Sequence, residues 1–158
     1  MISAGNISFV CSGNICRSPM AEVIARAFLE KLAPGAKISS AGTLGMVGVS
    51  ASAHGVEAVN MIGIDLTAHK SQGVSPAYLH EQDAIVVMAE EHARTVTLMA
   101  PELEPKIWRL WEHTTEEDRL DEIEDPVGGD LDDFIVCRDV LIECIKNWIP
   151  VYMETRGV

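Results

Sequence analysis

The chain has 158 residues, of which 47% are hydrophobic and 23% charged, a composition typical of one globular domain covering residues 1–158. Its formal net charge of -12 argues against a nucleic-acid-binding surface, which needs clustered lysine and arginine. No apolar stretch is long enough to span a membrane, and the first residues, "MISAGNISFV", lack the basic residues of a secretory signal. We therefore expect a cytoplasmic protein that binds neither nucleic acid nor membrane; its oligomeric state stays open.

Short apolar runs alternate with helical patterns along the chain. Strands are predicted over 6–10, 36–43, 82–89 and 106–111. Helices are predicted over 18–34 and 52–63, from 90 until Pro101 ends it, and from about 130 to 152. Ser18 is predicted to cap the first helix, with Pro19 in its first turn. The alternation predicts an α/β fold with a parallel sheet between helices on both faces, and a site at the carboxyl ends of the strands.

The four cysteines have two different settings. Cys137 and Cys144 lie seven residues apart among apolar residues at helical spacing, so we expect them to pack in the core. No Cys-x-x-Cys or paired Cys/His spacing indicates a zinc site, and no metal or other cofactor is predicted. Cys11 and Cys16 belong instead to "FVCSGNICRSPMAE" (9–22), at the junction of the first strand and first helix.

The segment "CSGNICRS" (11–18) is suited to binding phosphate. Gly13 and Asn14 tolerate a tightly curled backbone, which turns successive N–H groups inward next to the positive end of a helix dipole. Arg17 can hold two oxygens of a tetrahedral anion. These donors and the Ser18 hydroxyl favour a Cys11 thiolate at neutral pH, which could attack phosphorus and form a cysteinyl-phosphate without a metal. The predicted phosphate-binding loop comprises Ser12, Gly13, Asn14, Ile15, Cys16 and Ser18, with Cys11 and Arg17 as catalytic residues.

Such a reaction also needs an acid to protonate the leaving oxygen. In "EDPVGGD" (124–130), Asp125 precedes a proline that favours an extended backbone, and two glycines follow. A rigid loop could hold this carboxyl group over the site. The pattern alone leaves open whether Asp125 is the general acid or one more surface carboxylate in an acidic stretch.

The two segments described above resemble those of a known family. "VCSGNICRSPMAE" closely resembles the signature of the low-molecular-weight protein tyrosine phosphatases, and the Asp-Pro pair at 125–126 resembles their acid loop. "ISSAGT" (38–43), "GIDLTAHKSQ" (63–72) and "DAIVVMAEEH" (83–92) follow in family order, so the resemblance covers nearly the whole chain. It implies a four-stranded parallel sheet in the order 2-1-3-4 and a metal-free phosphomonoesterase acting on phosphorylated protein. It also implies that Cys11 is the nucleophile, Arg17 the phosphate clamp and Asp125 the general acid.

The resemblance further implies a polar network beneath the loop, in which Ser40 and His69 support Asn14 and Ser18. Side-chain partners would hold a left-handed asparagine in its strained conformation. Cys16 matches a second loop cysteine that can form a reversible disulfide with the nucleophile in family members. The remaining histidines are expected on the surface; they are His54, His80, His92 and His113.

Two substrate-contacting positions depart from the family pattern. Many members carry an aromatic residue after the Asp-Pro pair and another a few residues after the "SAGT" turn. This chain has Val127 at the first position and Met46 at the second. Both side chains can line an apolar slot, but they stack poorly on a phosphotyrosine ring. The phosphate chemistry is therefore predicted intact and the support for the ring weakened.

Three alternatives to a protein tyrosine phosphatase follow. A protein-arginine phosphatase uses the same loop but tends to place Thr where this chain has Ile15, so Ile15 favours an ester substrate. An arsenate reductase needs two further redox cysteines near the site, and residues 17–136 contain none. A phosphate-binding module without catalysis would lack Cys11, Arg17 or Asp125, and all three are present.

Overall fold

The computed structural model of this protein describes residues 3–115 and 119–157; residues 1–2, 116–118 and 158 of the predicted domain lie outside them. Four strands form one sheet in the order β2-β1-β3-β4. They are β1 (Asn6–Cys11), β2 (Lys37–Gly42), β3 (Ala84–Val87) and β4 (Ile107–Arg109). Every neighbouring pair is parallel. The single-domain fold, the parallel sheet and its order are therefore confirmed.

Five α-helices connect or flank the strands in the described part of the chain. They are α1 (Arg17–Leu32), α2 (Ala53–Asn60), α3 (Pro76–His80), α4 (Glu90–Met99) and α5 (Leu131–Thr155). Helix α5 packs against α1 and α2, whereas α4 contacts β3 and β4. All four residues of β3 are buried, as expected for a central strand that is covered on both faces.

The structure corrects three predictions of local structure. Strand β4 is shorter than 106–111, because Lys106 ends one 3-10 segment and Leu110 begins another. Helix α3 was not predicted, although Ser75 caps it by accepting a hydrogen bond from Tyr78 N, 3.1 Å away. Ser18 does not cap α1, because the N-cap position is Cys16 and Ser18 lies inside the first turn. Its hydroxyl is instead held by the loop described below.

An aromatic cluster joins the longest helix to the sheet. Trp148 stacks on Tyr152 with ring centroids 4.9 Å apart, and it meets Phe9 of β1 edge-on at 6.1 Å. Cys137 and Cys144 are also buried on α5, which confirms that they are packing residues. The core thus holds α5 against the strand that ends at Cys11.

The carboxyl ends of β1, β2 and β3 lie side by side. Cys11 is paired with Gly42, and Val10 is paired with Val87. The loop after each strand therefore opens at the same edge of the sheet, next to the segment 11–18. This edge is where parallel α/β sheets place their sites.

Candidate active site

Cys11 is the last residue of β1, and its side chain is almost completely buried, with 2% exposure. The Sγ atom lies 2.9 Å from the Ser18 hydroxyl and accepts a hydrogen bond from Asn14 N at 3.3 Å. The N-terminus of α1 begins six residues after Cys11 and points a helix dipole at the loop. A hydroxyl group, a backbone N–H group and the positive end of a helix dipole therefore lie beside the sulfur.

Asn14 adopts the left-handed conformation, with φ of 58°, as the sequence predicted. It is fully buried, and its amide nitrogen donates to Ser18 Oγ at 2.8 Å and to Ser40 Oγ at 2.9 Å. Its amide oxygen accepts from Gln72 N at 3.0 Å. These three contacts satisfy the side chain and offset the cost of the backbone conformation.

Two further contacts extend the network beneath the loop. His69 Nε2 donates to the carbonyl oxygen of Asn14 at 2.7 Å. The Ser40 hydroxyl donates a hydrogen bond to Glu22 Oε1 at 2.7 Å, and Glu22 also forms an ion pair with Arg26 at 2.6 Å. The structure thus brings Ser40 and His69 to the loop where the sequence expected them, and it adds Glu22 and Gln72.

Arg17 connects the loop to the segment that carries Asp125. Its guanidinium is buried, with Nη1 donating to the carbonyl oxygen of Ile123 at 3.0 Å. Nη2 lies 3.3 Å from both Asp125 Oδ2 and Ser12 Oγ. Ile123 N donates to the carbonyl oxygen of Met88 at 2.8 Å, which ties this segment to the end of β3. The predicted phosphate clamp and predicted acid therefore lie in direct contact.

Gly42 allows the end of β2 to approach the loop closely. A Cβ atom at this position would lie 2.6 Å from Ser12 O, closer than Cβ atoms pack in proteins, and 3.0 Å from Asn14 N, a tight contact. Backbone hydrogen bonds from Thr43 N to Cys11 O and from Leu44 N to Ser12 O, both 2.9 Å, then fasten the two segments. Any larger residue at 42 would push the loop out of position.

The predicted substrate slot lies at the rim of this loop. A Cβ atom placed on Gly13 would lie 3.5 Å from both Ile15 Cγ1 and Met46 Sδ, so these two side chains cover that part of the loop. On the other side, Val127 N donates to Asp125 Oδ1 at 3.0 Å, and the Val127 side chain is 61% exposed. Apolar side chains therefore lie beside both the loop and the carboxyl group.

Cys16 differs from Cys11 in its electrostatic setting. Burial first, and the nearby charge of Asp125 second, raise the pKa of Cys16 to about 12. Burial likewise raises the pKa values of Cys137 and Cys144 on α5 to about 12. These three side chains therefore remain neutral thiols near neutral pH, which leaves Cys11 as the candidate nucleophile.

His92 contradicts the expectation that it lies on the surface. It sits in the first turn of α4 with 1% exposure, and its Nε2 lies 3.0 Å from Ser12 Oγ. The prediction failed because a histidine in a polar helix start carries no local sign of burial; only the neighbouring position of β1 and β3 brings it to the loop. His54 and His80 are exposed, and His113 is half-buried.

The described residues contain neither a cluster of metal ligands nor a membrane-spanning helix. Among residues 3–115 and 119–157, no three His, Cys, Asp or Glu side chains are grouped closely enough to hold a metal ion. No helix in the same part of the chain has both the length and the apolar character needed to cross a membrane.

Comparison with known proteins shows which proteins this chain is similar to. A profile of the family described as low molecular weight phosphotyrosine protein phosphatase matches residues 6–155. The chain is 30% identical over 142 residues to a protein-arginine-phosphatase of Bacillus subtilis (strain 168), covering 90% of this chain and 93% of the relative. It is 32% identical over 143 residues to the low molecular weight protein-tyrosine-phosphatase Etp of Escherichia coli (strain K12), covering 90% and 91%. The crystal structure of the tyrosine phosphatase AmsI of Erwinia amylovora superimposes with a TM-score of 0.84 at 31% identity, covering 96% of this chain and 93% of that one.

Proposed function

The chain belongs to the low molecular weight phosphotyrosine protein phosphatase family, a family of hydrolases, and on that premise we propose that it hydrolyses phosphotyrosine in proteins through a cysteinyl-phosphate. The observation that carries the proposal is the setting of Cys11. The buried Sγ atom lies 2.9 Å from the Ser18 hydroxyl and 3.3 Å from the backbone nitrogen of Asn14. Arg17 and Asp125 contact each other beside the loop.

In the first step, the Cys11 thiolate attacks phosphorus, and the bond from phosphorus to the ester oxygen breaks. Arg17 and the loop N–H groups, including those of Gly13, Ile15 and Cys16, stabilise the charge on the non-bridging oxygens as the transition state flattens. The leaving oxygen takes the bonding electron pair and receives a proton from Asp125. This scheme uses no metal ion.

Asp125 exchanges its partner when substrate binds. In the resting site Arg17 Nη2 donates to Asp125 Oδ2 at 3.3 Å. A phosphoryl dianion competes for the same guanidinium, which releases the Asp125 carboxyl group for contact with the leaving oxygen. In the second step the Asp125 carboxylate takes a proton from water, the water oxygen attacks phosphorus, and the bond to Cys11 breaks. The Ser18 hydroxyl then stabilises the returning thiolate.

The choice of phosphotyrosine depends on the rim. Ile15 offers an apolar surface without a hydroxyl, which suits the ring and ester of phosphotyrosine better than a guanidinium. Met46 and Val127 flank the entrance as apolar, non-aromatic walls. A cytoplasmic location would suit the reaction, because a reducing compartment keeps a catalytic thiol free.

A protein-arginine phosphatase is the second candidate. The similarity to the Bacillus subtilis protein-arginine-phosphatase favours it, as does the absence of aromatic side chains at 46 and 127. Arsenate reduction is less well supported, because the additional cysteines at 137 and 144 are buried thiols with pKa values raised to about 12 by burial.

Phosphate release from peptides of one sequence, carrying either phosphotyrosine or phosphoarginine, tests the proposal. We expect faster turnover of the phosphotyrosine peptide, measured as kcat/KM, and no turnover of either by Cys11→Ser. The Cys11→Ser protein should still bind inorganic phosphate, because Arg17 and the loop N–H groups remain.

Each other outcome identifies a different error. A preference for phosphoarginine would transfer the assignment to the second candidate and leave the chemistry unchanged. Turnover retained by Cys11→Ser would contradict the cysteinyl-phosphate mechanism. Binding of phosphate without turnover of either peptide by the wild-type protein would favour the non-catalytic module.

A further inference from the structure

Ser12 and His92 form a contact that the mechanism above does not use. Ser12 directly follows Cys11 and is half-buried, whereas His92 is 1% exposed. Their side chains meet through Ser12 Oγ and His92 Nε2, which are 3.0 Å apart. The contact follows from the sheet, because β1 and β3 are neighbours and each of these residues lies shortly after its strand ends.

A backbone donor determines which imidazole nitrogen carries the proton. Ala89 N donates to His92 Nδ1 at 3.0 Å, so Nδ1 is an acceptor and the proton of the neutral ring lies on Nε2. The Nε2–H group therefore donates to Ser12 Oγ, and Glu91 Oε1 lies 3.6 Å from the same nitrogen. Burial first and the charge of Arg17 second lower the pKa of His92 to about 4, which keeps the ring neutral near pH 7.

This tautomer rules out one chemical role. A histidine that activates a serine must accept the hydroxyl proton at the nitrogen facing the serine. His92 Nε2 already carries a proton, so Ser12 is not the nucleophile of a Ser-His pair. A contribution of this pair to ligand binding would therefore depend on the hydrogen bond that the Ser12 hydroxyl donates.

The hydroxyl hydrogen of Ser12 is left for a ligand. Ser12 Oγ accepts from His92 Nε2 and from Arg17 Nη2, which is 3.3 Å away, and these two contacts use both of its lone pairs. Within the residues that the structure describes, no side chain or backbone oxygen accepts from this hydroxyl. An anion oxygen held by Arg17 would lie within reach of it.

We propose that Ser12 is a further phosphoryl-binding residue, which donates its hydroxyl hydrogen to a non-bridging oxygen, and that His92 is the positioning residue that orients it. The inference rests on the proposed function only in that the loop 11–18 binds a phosphoryl group. Neither residue is needed to form or break a bond. Their effect is on how tightly the tetrahedral anion is held beside Arg17.

Titration calorimetry with inorganic phosphate at pH 7.5 tests the role of Ser12 without any turnover. Loss of a hydrogen bond to a charged group predicts that Ser12→Ala weakens phosphate binding about tenfold. Ser12→Thr keeps the hydroxyl and should bind phosphate nearly as the wild type does. Ser8→Ala is the matched control, because it removes a nearby serine hydroxyl, that of a buried residue inside β1, where Ser8 contacts Tyr78 instead of the loop.

A double-mutant cycle tests whether His92 acts through Ser12. We expect His92→Leu to weaken phosphate binding about threefold and His92→Gln, which keeps an N–H donor, to restore much of it. In the Ser12→Ala protein, His92→Leu should have no further effect. Thermal unfolding of each variant separates loss of the contact from loss of the fold, and the Ser12 and His92→Gln arms remain informative if His92→Leu does not fold.

The outcomes distinguish this inference from the proposed function. Wild-type phosphate affinity in folded Ser12→Ala would overturn the role of Ser12. Additive losses in the double variant would overturn the role of His92, because independent contributions cannot pass through one hydroxyl. If the wild type hydrolyses neither phosphopeptide but phosphate affinity still depends on Ser12, the inference stands and the proposed function fails.

Discussion

The floor of the site and its rim are held in contrasting ways. At the floor, Asn14 is fully buried, and its side chain makes three hydrogen bonds, to Ser18, Ser40 and Gln72. At the rim, the side chain of Val127 is 61% exposed. Removing a hydrogen-bond partner from a buried polar group costs free energy, whereas replacing an exposed apolar side chain costs little. The floor is therefore constrained to one geometry, and the rim is free to vary with the substrate.

Asp125 lies between these two regions, and its replacement should have the largest effect. We expect Asp125→Asn to lower kcat on the preferred phosphopeptide about 10²- to 10⁴-fold, because the leaving oxygen loses its proton donor. Phosphate affinity should stay within a few-fold of the wild type. Glu124→Gln is the matched control, since it removes the adjacent exposed carboxylate. A similar fall in kcat in that variant would show that the loss of a negative charge near the site, and not the loss of a proton donor, lowers the rate.

A break in the floor should cost stability as well as activity. Asn14→Ala removes three hydrogen bonds, leaves buried partners unsatisfied and places alanine at a φ of 58°. We expect the free energy of unfolding to fall by about 3 kcal/mol in urea denaturation, together with most of the turnover. Asn60→Ala, at an exposed position on α2, should leave both nearly unchanged. Wild-type stability in Asn14→Ala would show that the network does not constrain the floor.

The burial of His92 beside the floor predicts a dependence of stability on pH. Its pKa is about 4 in the folded protein and about 6.5 when exposed, so between these values the unfolded chain binds the proton and the folded protein does not. His92 therefore lowers the free energy of unfolding little above pH 6.5, and the free energy of unfolding falls as the pH is lowered toward 4. By pH 5 the loss should reach about 2 kcal/mol.

Urea denaturation at pH 7.5 and pH 5 measures this effect. His92→Gln cannot titrate, so its free energy of unfolding should fall less than that of the wild type over the same interval. The other titrating groups are common to both proteins and cancel in the comparison. Equal falls in the two proteins would contradict the burial of a neutral His92.

Changes at the rim should have the smallest effect and should sharpen the contrast with the floor. Val127→Tyr adds an aromatic wall beside Asp125, which should lower KM for a phosphotyrosine peptide by about threefold to tenfold through ring stacking. The free energy of unfolding should hardly change at this exposed position. An equal fall in KM for a phosphoarginine peptide would show that the new side chain acts by general apolar contact and not by ring stacking.

The prediction from sequence succeeded where the decisive residues are consecutive. Residues 11–18 carry the glycine, the tolerant asparagine, the arginine and the cysteine in one segment, and a strand and a helix flank them. Their spacing alone therefore indicates an anion site. Cys137 and Cys144 were assigned to the core by the same kind of local periodicity, and both are buried.

The prediction failed where a residue's role depends on distant neighbours. Ser18 resembles a helix cap in sequence, but its hydroxyl group forms hydrogen bonds with Asn14 and Cys11 instead. His92 resembles a surface residue of a polar helix start. No local pattern marks Ile123, whose carbonyl oxygen receives Arg17, or Gly42, whose missing side chain makes room for the loop.

The sequence by itself thus determined the chemistry that one short segment can perform, because a curled loop at a strand-to-helix junction needs only local residues. The tertiary structure decided what surrounds that segment. Parallel pairing brings the ends of β2 and β3 beside Cys11, and with them Gly42 and His92. Contacts between residues some 30 to 110 positions apart arise only when the sheet assembles, since no local preference can encode them.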